Sequence, residues 1–357
     1  MHLQGLKKVA LVAVACAMLV APVVSAQEAT TEPQECGVPE VTDISLGFGV
    51  DAVFAPHIIG IEKGWFEEAG FTSVDTPTFT AGALAGEALA AGEIELWTPG
   101  NIPPISMIHN GLPIVVVGIN TDAYIDRLVV RSDAGLEEPE DLYDIRIGLL
   151  EGSTASAVLS KIAEQYDLDV NRFQVVNLPP PEQLTSLINN DIQAMIVWNP
   201  WPFLALAEPE LDVEIMHSGT EANFPWDDSA YQSSNTLSLW VMSEDFVRES
   251  PNAACAIVQV LLRGQEYVRD PENQEEVIEL LAEWNDQPVE LIEQMWADYS
   301  FDPTIGENYV RDMQAYTEFL FEAGRIDDQI DPLDYTYTGF VQGYNPEYVE
   351  VEGNWQP

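Results

Sequence analysis

Positively charged residues are scarce in this sequence. Its 357 residues include 13 Lys and Arg against 60 Asp and Glu, a formal net charge of -47, and the lysines beyond residue 8 are Lys63 and Lys161. Nucleic acids and anionic membrane surfaces are poor partners for such a chain, because both would be repelled and no basic stripe offsets the repulsion. At about 1 M salt the Debye length falls to roughly 3 Å, so the acidic composition predicts a protein from a salt-rich habitat.

Histidine is also rare and scattered. Beyond the first residues the sequence has His57, His109 and His217, with no H-E-x-x-H pattern and no cluster of Cys and His, so it predicts no metal site. The stretch GFGVDA imitates a dinucleotide-binding loop, but a lone match is unspecific. GSTAS lacks the second glycine of a nucleophile elbow. We therefore predict no catalytic residue, no cofactor and no enzymatic activity.

Long apolar runs are absent, and none approaches the ~20 residues that a transmembrane helix needs. The first residues combine Lys7 and Lys8 with an apolar run over 9–21 and the small-residue triplet 24–26. This pattern predicts a secretory signal peptide over 1–26, cleaved after Ala26. Cys16 is a weak match to a lipoprotein signal, so no lipid anchor is expected. An unanchored exported protein would diffuse away from a cell with one membrane, which favours a periplasmic location.

The sequence has 3 cysteines, of which Cys36 and Cys255 remain after the predicted cleavage. An oxidising compartment permits a disulfide between them. Cys255 lies on an apolar helical stretch, however, and an ordinary core position would explain it equally well. The sequence leaves both alternatives open.

The pattern of apolar residues predicts an α/β fold. The composition is 46% hydrophobic, which is enough for a large core, and short apolar strands alternate with helices from Thr42 onward before the chain becomes mostly helical from Ser250. Two segments, ALAAGEIELWTPGN and SLINNDIQAMIVWNP, each lead from a helix to a strand that ends at Trp97 or Trp198. One copy in each of two lobes predicts a cleft between them, with a ligand at the carboxyl ends of the strands.

The stretch EGSTASAVLSKIAEQ follows the buried strand IRIGLL and begins a helix. Ser153 or Thr154 is predicted to cap this helix, whose first backbone N–H groups are unpaired and carry a partial positive charge. Such a helix start suits an anion or a polar head group. An N-cap without any ligand explains the same residues.

Four motifs together resemble one family: IEKGWFEEAGF, ALAAGEIELWTPGNIPP, LEEPEDLYDIRIGLLEGSTASAVL and QVVNLPPPEQLTSLINNDIQAMIVWNPW. They resemble the periplasmic substrate-binding proteins of ABC importers for aliphatic sulfonates, taurine and nitrate, which share a fold with thiamine-pyrimidine synthases. The resemblance covers the chain from about Val41 onward. It implies a periplasmic binding protein-like (type II) clamshell of two α/β lobes with a hinge and a helical C-terminal part.

The implied domain organisation follows from this resemblance. After the signal peptide, residues 27–40 form a flexible tail, residues 41–122 and 235–357 form lobe 1, and residues 123–234 form lobe 2. The hinge is expected near Thr121 to Tyr124 and near Ser233 to Thr236. The implied partners are a small-molecule ligand and an ABC permease with its ATPase, and the chain is expected to be a monomer.

The resemblance also implies which residues bind the ligand. They follow strands on both sides of the cleft: Phe54, Thr80, Gly82, Asn101, Ile102, Ser153, Thr154, Trp198, Asn199 and Trp201. Phe54 would offer an aromatic wall, and Trp198, Asn199 and Trp201 would form the opposing face. The family commonly has Gly-Asp where Asn101 and Ile102 align, and this departure leaves the identity of the ligand open.

The resemblance implies that the ligand is a small organic anion or zwitterion of the aliphatic sulfonate, taurine or nitrate type, which the protein binds in the cleft between the lobes and delivers to the permease. The groups that would balance its charge stay open. For an organic anion, Arg127 is the candidate counter-charge, although a surface position is the commoner place for an arginine. Asp51 and Glu151 would instead suit an ammonium group, as in taurine, or a basic heterocycle. The alternative function is a thiamine-precursor pyrimidine-binding protein or a synthase-like enzyme. Such enzymes carry a cysteine-rich motif and a lysine for pyridoxal phosphate, and the wide separation of Cys36 and Cys255 does not fit that motif.

Overall fold

The computed structural model describes residues 36–49, 51–79, 82–218, 222–226 and 235–357. The predicted signal peptide and its cleavage point, most of the predicted tail, Thr80 and part of the second predicted hinge lie outside these residues. The strands are β1 (Asp43–Gly47), β2 (Ser73–Asp75), β3 (Leu96–Trp97), β4 (Ile114–Ala123), β5 (Arg127–Arg131), β6 (Arg146–Leu149), β7 (Gln174–Asn177), β8 (Ala194–Val197), β9 (Val213–His217), β10 (Thr236–Ser243) and β11 (Tyr299–Ser300).

The strands form two mixed sheets. The first sheet has the order β11-β4-β10-β3-β1-β2, and the second has the order β7-β6-β8-β5-β9. In the first sheet β1 runs parallel to β2 and β3, whereas β10 is antiparallel to β3 and β4. In the second sheet β6 runs parallel to β7 and β8, and β5 is antiparallel to β8 and β9. The parallel strands of each sheet thus end at one edge, where their loops come together.

Helices cover the sheets and make up most of the C-terminal part. They are α1 (Ala55–Glu62), α2 (Trp65–Glu68), α3 (Gly82–Ala90), α4 (Ile102–His109), α5 (Thr154–Gln165), α6 (Pro180–Ile188), α7 (Trp201–Ala207), α8 (Glu244–Glu249), α9 (Pro251–Arg269), α10 (Gln274–Asn285), α11 (Val289–Trp296), α12 (Glu307–Glu322) and α13 (Gly339–Tyr344). The helix expected over PHIIGIEKGWFEEAG is divided into α1 and α2, because Gly64 between them has a left-handed backbone with φ of 69°. No helix within the described ranges combines the length and the apolar character needed to cross a membrane.

The buried side chains follow the period of the strands. In β5, Leu128 and Val130 pack into one apolar cluster on the second sheet, whereas Val129 packs into a cluster on the other face. Alternate residues of a strand point to opposite faces, so helices on both sides give the second sheet two cores. The first sheet and the C-terminal helices share a larger core around Trp97 and Trp240, both fully buried.

Two connections join the sheets, and they lie side by side. β4 of the first sheet ends at Ala123 and β5 of the second begins at Arg127, while the returning strand β10 begins at Thr236, which pairs with Ala123. Next to this pair, the side-chain amide of Asn235 donates to Asp122 Oδ1 at 2.6 Å and to Asp312 Oδ2 at 2.8 Å. The first predicted hinge therefore falls at the end of β4, and its movement remains a prediction.

Cys36 and Cys255 form a disulfide, with 5.8 Å between their Cα atoms. The bond fastens the first described residues to α9. Neighbouring hydrogen bonds hold the same segment, since Gly37 N donates to Asn252 Oδ1 at 3.1 Å and Asn252 Nδ2 donates to Glu40 Oε1 at 2.7 Å. The structure thus decides between the two alternatives that the sequence left open.

Candidate functional site

A cavity of about 230 Å³ lies where loops at the carboxyl ends of strands from both sheets meet. The first sheet contributes the segments after β1 and β3 together with part of β10, and the second contributes the segments after β6 and β8. Its walls are formed by Gly47, Phe48, Gly49, Asp51, Val53, Phe54, Thr78, Phe79, Gly82, Ala85, Trp97, Thr98, Pro99, Gly100, Pro103, Ile125, Ser153, Thr154, Trp198, Trp201, Thr236 and Ser238.

Most of the cavity surface is apolar, and aromatic side chains from both sheets line it. Phe48 and Phe54 are 5.3 Å apart between ring centroids, and Trp198 and Trp201 come from the second sheet. An apolar cavity of about 150 Å³ is large enough to hold benzene. The cavity is therefore large enough for a small molecule with one ring.

The polar groups of the wall are held in place by a buried carboxyl group. Thr154 Oγ1 donates to Asp126 Oδ1 at 2.9 Å, and Thr236 Oγ1 donates to Asp126 Oδ2 at 2.7 Å. Burial raises the pKa of Asp126, and the two hydroxyl hydrogen bonds oppose this effect. Because both hydroxyl protons are directed to Asp126, the oxygens of Thr154 and Thr236 remain as hydrogen-bond acceptors.

Asp51 is the acidic residue of the cavity wall. Its Oδ1 accepts from Tyr299 Oη at 2.7 Å and from Val53 N at 3.4 Å, whereas its Oδ2 is buried and has no hydrogen-bond partner within the described structure. The pKa of Asp51 is raised to about 7, mainly by burial and also by the nearby charge of Asp298, while hydrogen bonds from Tyr299 and from the backbone N–H groups of Val53 and Ala52 oppose the rise. Near neutral pH the carboxyl group is therefore poised between its neutral and its charged form.

A hydrogen-bond network behind the wall holds Tyr299 and joins the two sheets. Asn199, which follows β8, donates through Nδ2 to Tyr299 Oη and to Asp298 Oδ2, each at 3.1 Å. Arg127, at the start of β5, donates to Asn199 Oδ1 and to Asp298 Oδ2, each at 2.7 Å. The guanidinium of Arg127 also lies 4.8 Å from the ring centroid of Phe203. Its charge is thus neutralised by Asp298 within the protein.

The predicted capping of α5 is wrong in its details. Ser153 occupies the N-cap position, but its hydroxyl donates backward to the Leu150 carbonyl at 2.7 Å and caps no backbone N–H. Thr154 is the first residue of the helix, and its hydroxyl bonds to Asp126 instead. In an N-cap the hydroxyl oxygen would accept from a backbone N–H, whereas here each hydroxyl group donates to an oxygen of the protein. Sequence spacing could not indicate the partner of Thr154, the buried carboxyl group of Asp126.

The structure brings six of the ten sequence-predicted site residues into the cavity wall: Phe54, Gly82, Ser153, Thr154, Trp198 and Trp201. Thr80 lies outside the described residues. Asn101, Ile102 and Asn199 are fully buried and do not line the cavity. Ile102 packs into the first core because it is apolar, and Asn199 serves the network behind the wall.

The two residues considered for the ligand charge also differ from expectation. A surface position for Arg127 is wrong, since the residue is 7% exposed and paired with Asp298, and it does not line the cavity either. Glu151 is exposed, and its Oε2 atom lies 3.5 Å from Nη2 of Arg325. Of the candidate charges, Asp51 belongs to the wall.

Sequence reasoning missed several residues of the site. Thr236 and Ser238 had a signal, because they alternate with apolar residues in TLSLWV, so both point to one face of β10. No pattern in the sequence indicated that Asp126 and Tyr299 belong to the site. Tyr299 reaches Asp51 across 248 residues of sequence, and only the folded chain brings the pair together.

The two sheets, their paired connections and the cavity at the strand ends define a two-lobed periplasmic binding protein fold, as predicted. The structure is similar to that of the alkanesulfonate-binding protein SsuA from Xanthomonas axonopodis pv. citri bound to MOPS, with a TM-score of 0.68, 17% identity, and 84% of this chain and 99% of that chain covered. The model of the NMT1-like family matches residues 37–282, and the chain belongs to this family.

Two relatives illustrate the family. A protein of Bacillus subtilis (strain 168) named for aliphatic sulfonate binding is 23% identical over 302 residues, which are 83% of this chain and 87% of that protein. The taurine-binding periplasmic protein of Escherichia coli (strain K12) is 26% identical over 208 residues, 58% of this chain and 61% of that protein. The predicted family resemblance is therefore confirmed.

Proposed function

We propose that this protein is the extracytoplasmic solute-binding component of an ABC importer. It binds a small organic molecule in the cavity between the sheets and delivers it to a membrane permease and its ATPase. The observation that carries this proposal is that one cavity takes its walls from both sheets, with Phe54 on one side and Trp198 on the other. Movement about the two adjacent connections would separate these walls and release the ligand.

The chemistry of the cavity supports binding over catalysis. Its described wall contains no Cys, His or Lys that could serve as a nucleophile or carry a Schiff base. Lys63 is bonded to Glu276, and Lys161 lies on α5 away from the wall. The protein would thus act by binding, closure and docking, without breaking a bond in the ligand. The synthase-like alternative has no described residue in the cavity to support it.

The proposal also covers the location and the oligomeric state of the protein. It would be exported to the periplasm after cleavage behind Ala26, and it would work as a monomer. The disulfide between Cys36 and Cys255 supports an oxidising compartment. N-terminal sequencing of the exported protein and its mass in solution test these points.

Ligand binding tests the proposal directly. A thermal-shift screen in molar salt would include taurine, alkanesulfonates, nitrate, bicarbonate, a hydroxymethylpyrimidine and small organic amines, because a ligand that binds only the folded state raises the melting temperature. We expect a shift with at least one of these compounds. If none produces a shift, and an importer deletion leaves uptake of all of them intact, the proposed function is wrong.

Trp198 is the residue that tests the position of the ligand. We expect Trp198→Ala to weaken the affinity for the ligand at least tenfold, about 1.4 kcal/mol, because it removes an aromatic wall of the cavity. Trp284→Ala is the matched control, since this tryptophan is also half-buried but lies on α10, away from the cavity. Equal affinity of the two variants in isothermal titration would place the ligand elsewhere.

A further inference from the structure

Within the described part of the chain, the cavity wall contains no cationic side chain that could balance an anion. The wall residues described by the structure include no Lys, Arg or His. Arg127 lies behind the wall, where Asp298 and Asn199 occupy its guanidinium. An anion in this cavity would therefore lie in an apolar space without a counter-charge, which is strongly unfavourable.

Among its side-chain groups the wall presents several hydrogen-bond acceptors, together with the indole N–H of Trp97, which has no partner within the described structure. Asp51 is 5% exposed, and its Oδ2 has no partner among the described residues. The hydroxyls of Ser153, Thr154 and Thr236 all donate to protein oxygens, so each can only accept a hydrogen bond from a ligand. A ligand with N–H donors would satisfy the unpartnered carboxylate oxygen, which otherwise bears the full cost of its burial.

The amino end of α5 is the feature of the wall that favours negative charge. A helix start carries about half an elementary charge. Here the carboxyl group of Asp126 already lies within hydrogen-bond distance of Thr154, the first residue of the helix. The partial charge is thus opposed by a carboxyl group of the protein.

The aromatic rings of the wall also favour a cationic ligand. The faces of Trp and Phe attract cations electrostatically, and more strongly when the cation is desolvated. Trp198 and Trp201 from the second sheet face a cavity that also contains Phe48, Phe54 and the Asp51 carboxyl group. Aromatic faces and a carboxylate together match an ammonium or amidinium group on a small apolar body.

We propose that the ligand of this cavity is a small organic cation, whose N–H group bonds to the carboxyl group of Asp51 and whose apolar part packs among the aromatic side chains. This inference rests on the proposed binding function and names the charge of its substrate. It assigns the site a charge preference opposite to that of the sulfonates for which two relatives are named.

Three probes that share a benzyl group and differ in the charge of its substituent test the sign of this preference. They are benzylammonium, benzyl alcohol and phenylmethanesulfonate, titrated into the mature protein in molar salt by isothermal titration calorimetry. We expect benzylammonium to bind at least tenfold more tightly than benzyl alcohol, and the sulfonate to bind more weakly than either. Tighter binding of the sulfonate than of the ammonium probe would overturn the inference and leave the importer function standing.

The variant Asp51→Asn tests whether Asp51 produces the preference for a cation. The variant keeps the size of the side chain, and we expect it to weaken benzylammonium binding at least tenfold and benzyl alcohol binding much less, because the neutral alcohol forms no ion pair with Asp51. Glu151→Gln is the control, because this carboxylate is exposed outside the cavity. Unchanged benzylammonium affinity in Asp51→Asn would overturn the inference.

The wild-type protein offers a second test that needs no variant. Asp51, with a pKa raised to about 7 mainly by burial, must be charged to bind a cation, so benzylammonium affinity should fall at least tenfold from pH 8 to pH 5.5. Of the groups around it, Tyr299 has a pKa raised well above its usual range by burial, and burial lowers the pKa of His57 to about 3, so neither changes charge in this interval. Asp298, the other charge acting on Asp51, is paired with Arg127. A flat profile would contradict the inference. If no probe and no compound of the nutrient screen binds at any pH, the binding function itself fails.

Discussion

At the scale of single residues, Asp51 is where function and stability conflict. Its carboxyl group is buried with one oxygen unpartnered, an arrangement that destabilises the empty protein whenever the group is charged. Burial places its pKa at about 7, far above the value of about 3.9 expected in the unfolded chain. Residues under such strain are typical of binding sites, where a ligand supplies the missing partner.

The substitution Asp51→Asn should stabilise the unliganded protein. Between pH 4 and pH 7 the folded state holds a proton on Asp51 that the unfolded state has lost, so stability of the wild type falls as the pH rises through this range. The variant should therefore gain little at pH 4 and about 1–3 kcal/mol above pH 7, the cost of an unsatisfied buried group. Urea unfolding at both pH values measures this difference.

Glu283→Gln provides the comparison for that measurement, since Glu283 is an exposed carboxylate on α10. Surface substitutions of this kind change stability by less than about 0.5 kcal/mol. A gain in Asp51→Asn that is the same at pH 4 and pH 8, or no gain at all, would contradict the assignment of a buried charge to Asp51.

At the scale of elements, the disulfide and the segment around it fix the start of the described chain to α9. The covalent bond spans 219 residues of sequence, and hydrogen bonds from Gly37 and to Glu40 reinforce it. On α9 the bonded residue is Cys255, which is half-buried and also packs against the first core. Its main effect is to restrict the unfolded chain.

Removal of this bond should lower the free energy of unfolding. The double variant Cys36→Ser and Cys255→Ala is expected to lose about 2–5 kcal/mol, because a large loop is released in the unfolded state. Guanidinium unfolding of both proteins, with and without reductant, measures the loss. Reductant should weaken the wild type to a similar extent and should not affect the variant. Identical midpoints for all four samples would show that the bond contributes nothing.

At the scale of the whole molecule, the excess of acids governs stability. The formal net charge is -47, and the described ion pairs involve a small part of the 60 acidic residues. Repulsion among such charges disfavours the compact state in dilute buffer, and salt screens it.

The melting temperature should therefore rise steadily from low salt to about 2 M KCl, where the Debye length is below about 3 Å. Differential scanning calorimetry of the mature protein measures this change. Sucrose at matched osmolality serves as the control, because it strengthens burial without screening charge. A melting temperature that is highest in dilute buffer, or equal increases in KCl and sucrose, would rule out charge screening as the cause.

Several features of the fold were predictable from local patterns. The alternation of strands and helices follows from the spacing of apolar residues, and the loop after a strand is recognisable from the end of the apolar run. The family resemblance then named residues near these strand ends: Ser153 and Trp198 lie in loops, Phe54 ends a 3-10 turn, and Thr154 and Trp201 are the first residues of α5 and α7. The fold brings all five to one cavity. Whether these residues bind a ligand remains a prediction.

The roles of individual polar residues were less predictable. Asn101 and Asn199 occupy similar loops, yet both side chains are buried outside the cavity wall. Sequence position identifies the loop but not the direction of each side chain within it. The direction depends on which partner is available, as Asn199 shows by bonding to Tyr299, 100 residues away.

The sequence by itself thus determined the α/β class, the two lobes and the loops that meet at the cleft, because the periodicity of apolar burial acts over a few neighbouring residues. Only the tertiary structure decided which charged groups are paired within the protein and which have an atom without a partner. Arg127 is paired with Asp298, whereas Asp51 Oδ2 has no described partner. The physical reason is that burial makes every unpaired polar group costly, and the partners that relieve this cost come from segments far apart in the chain.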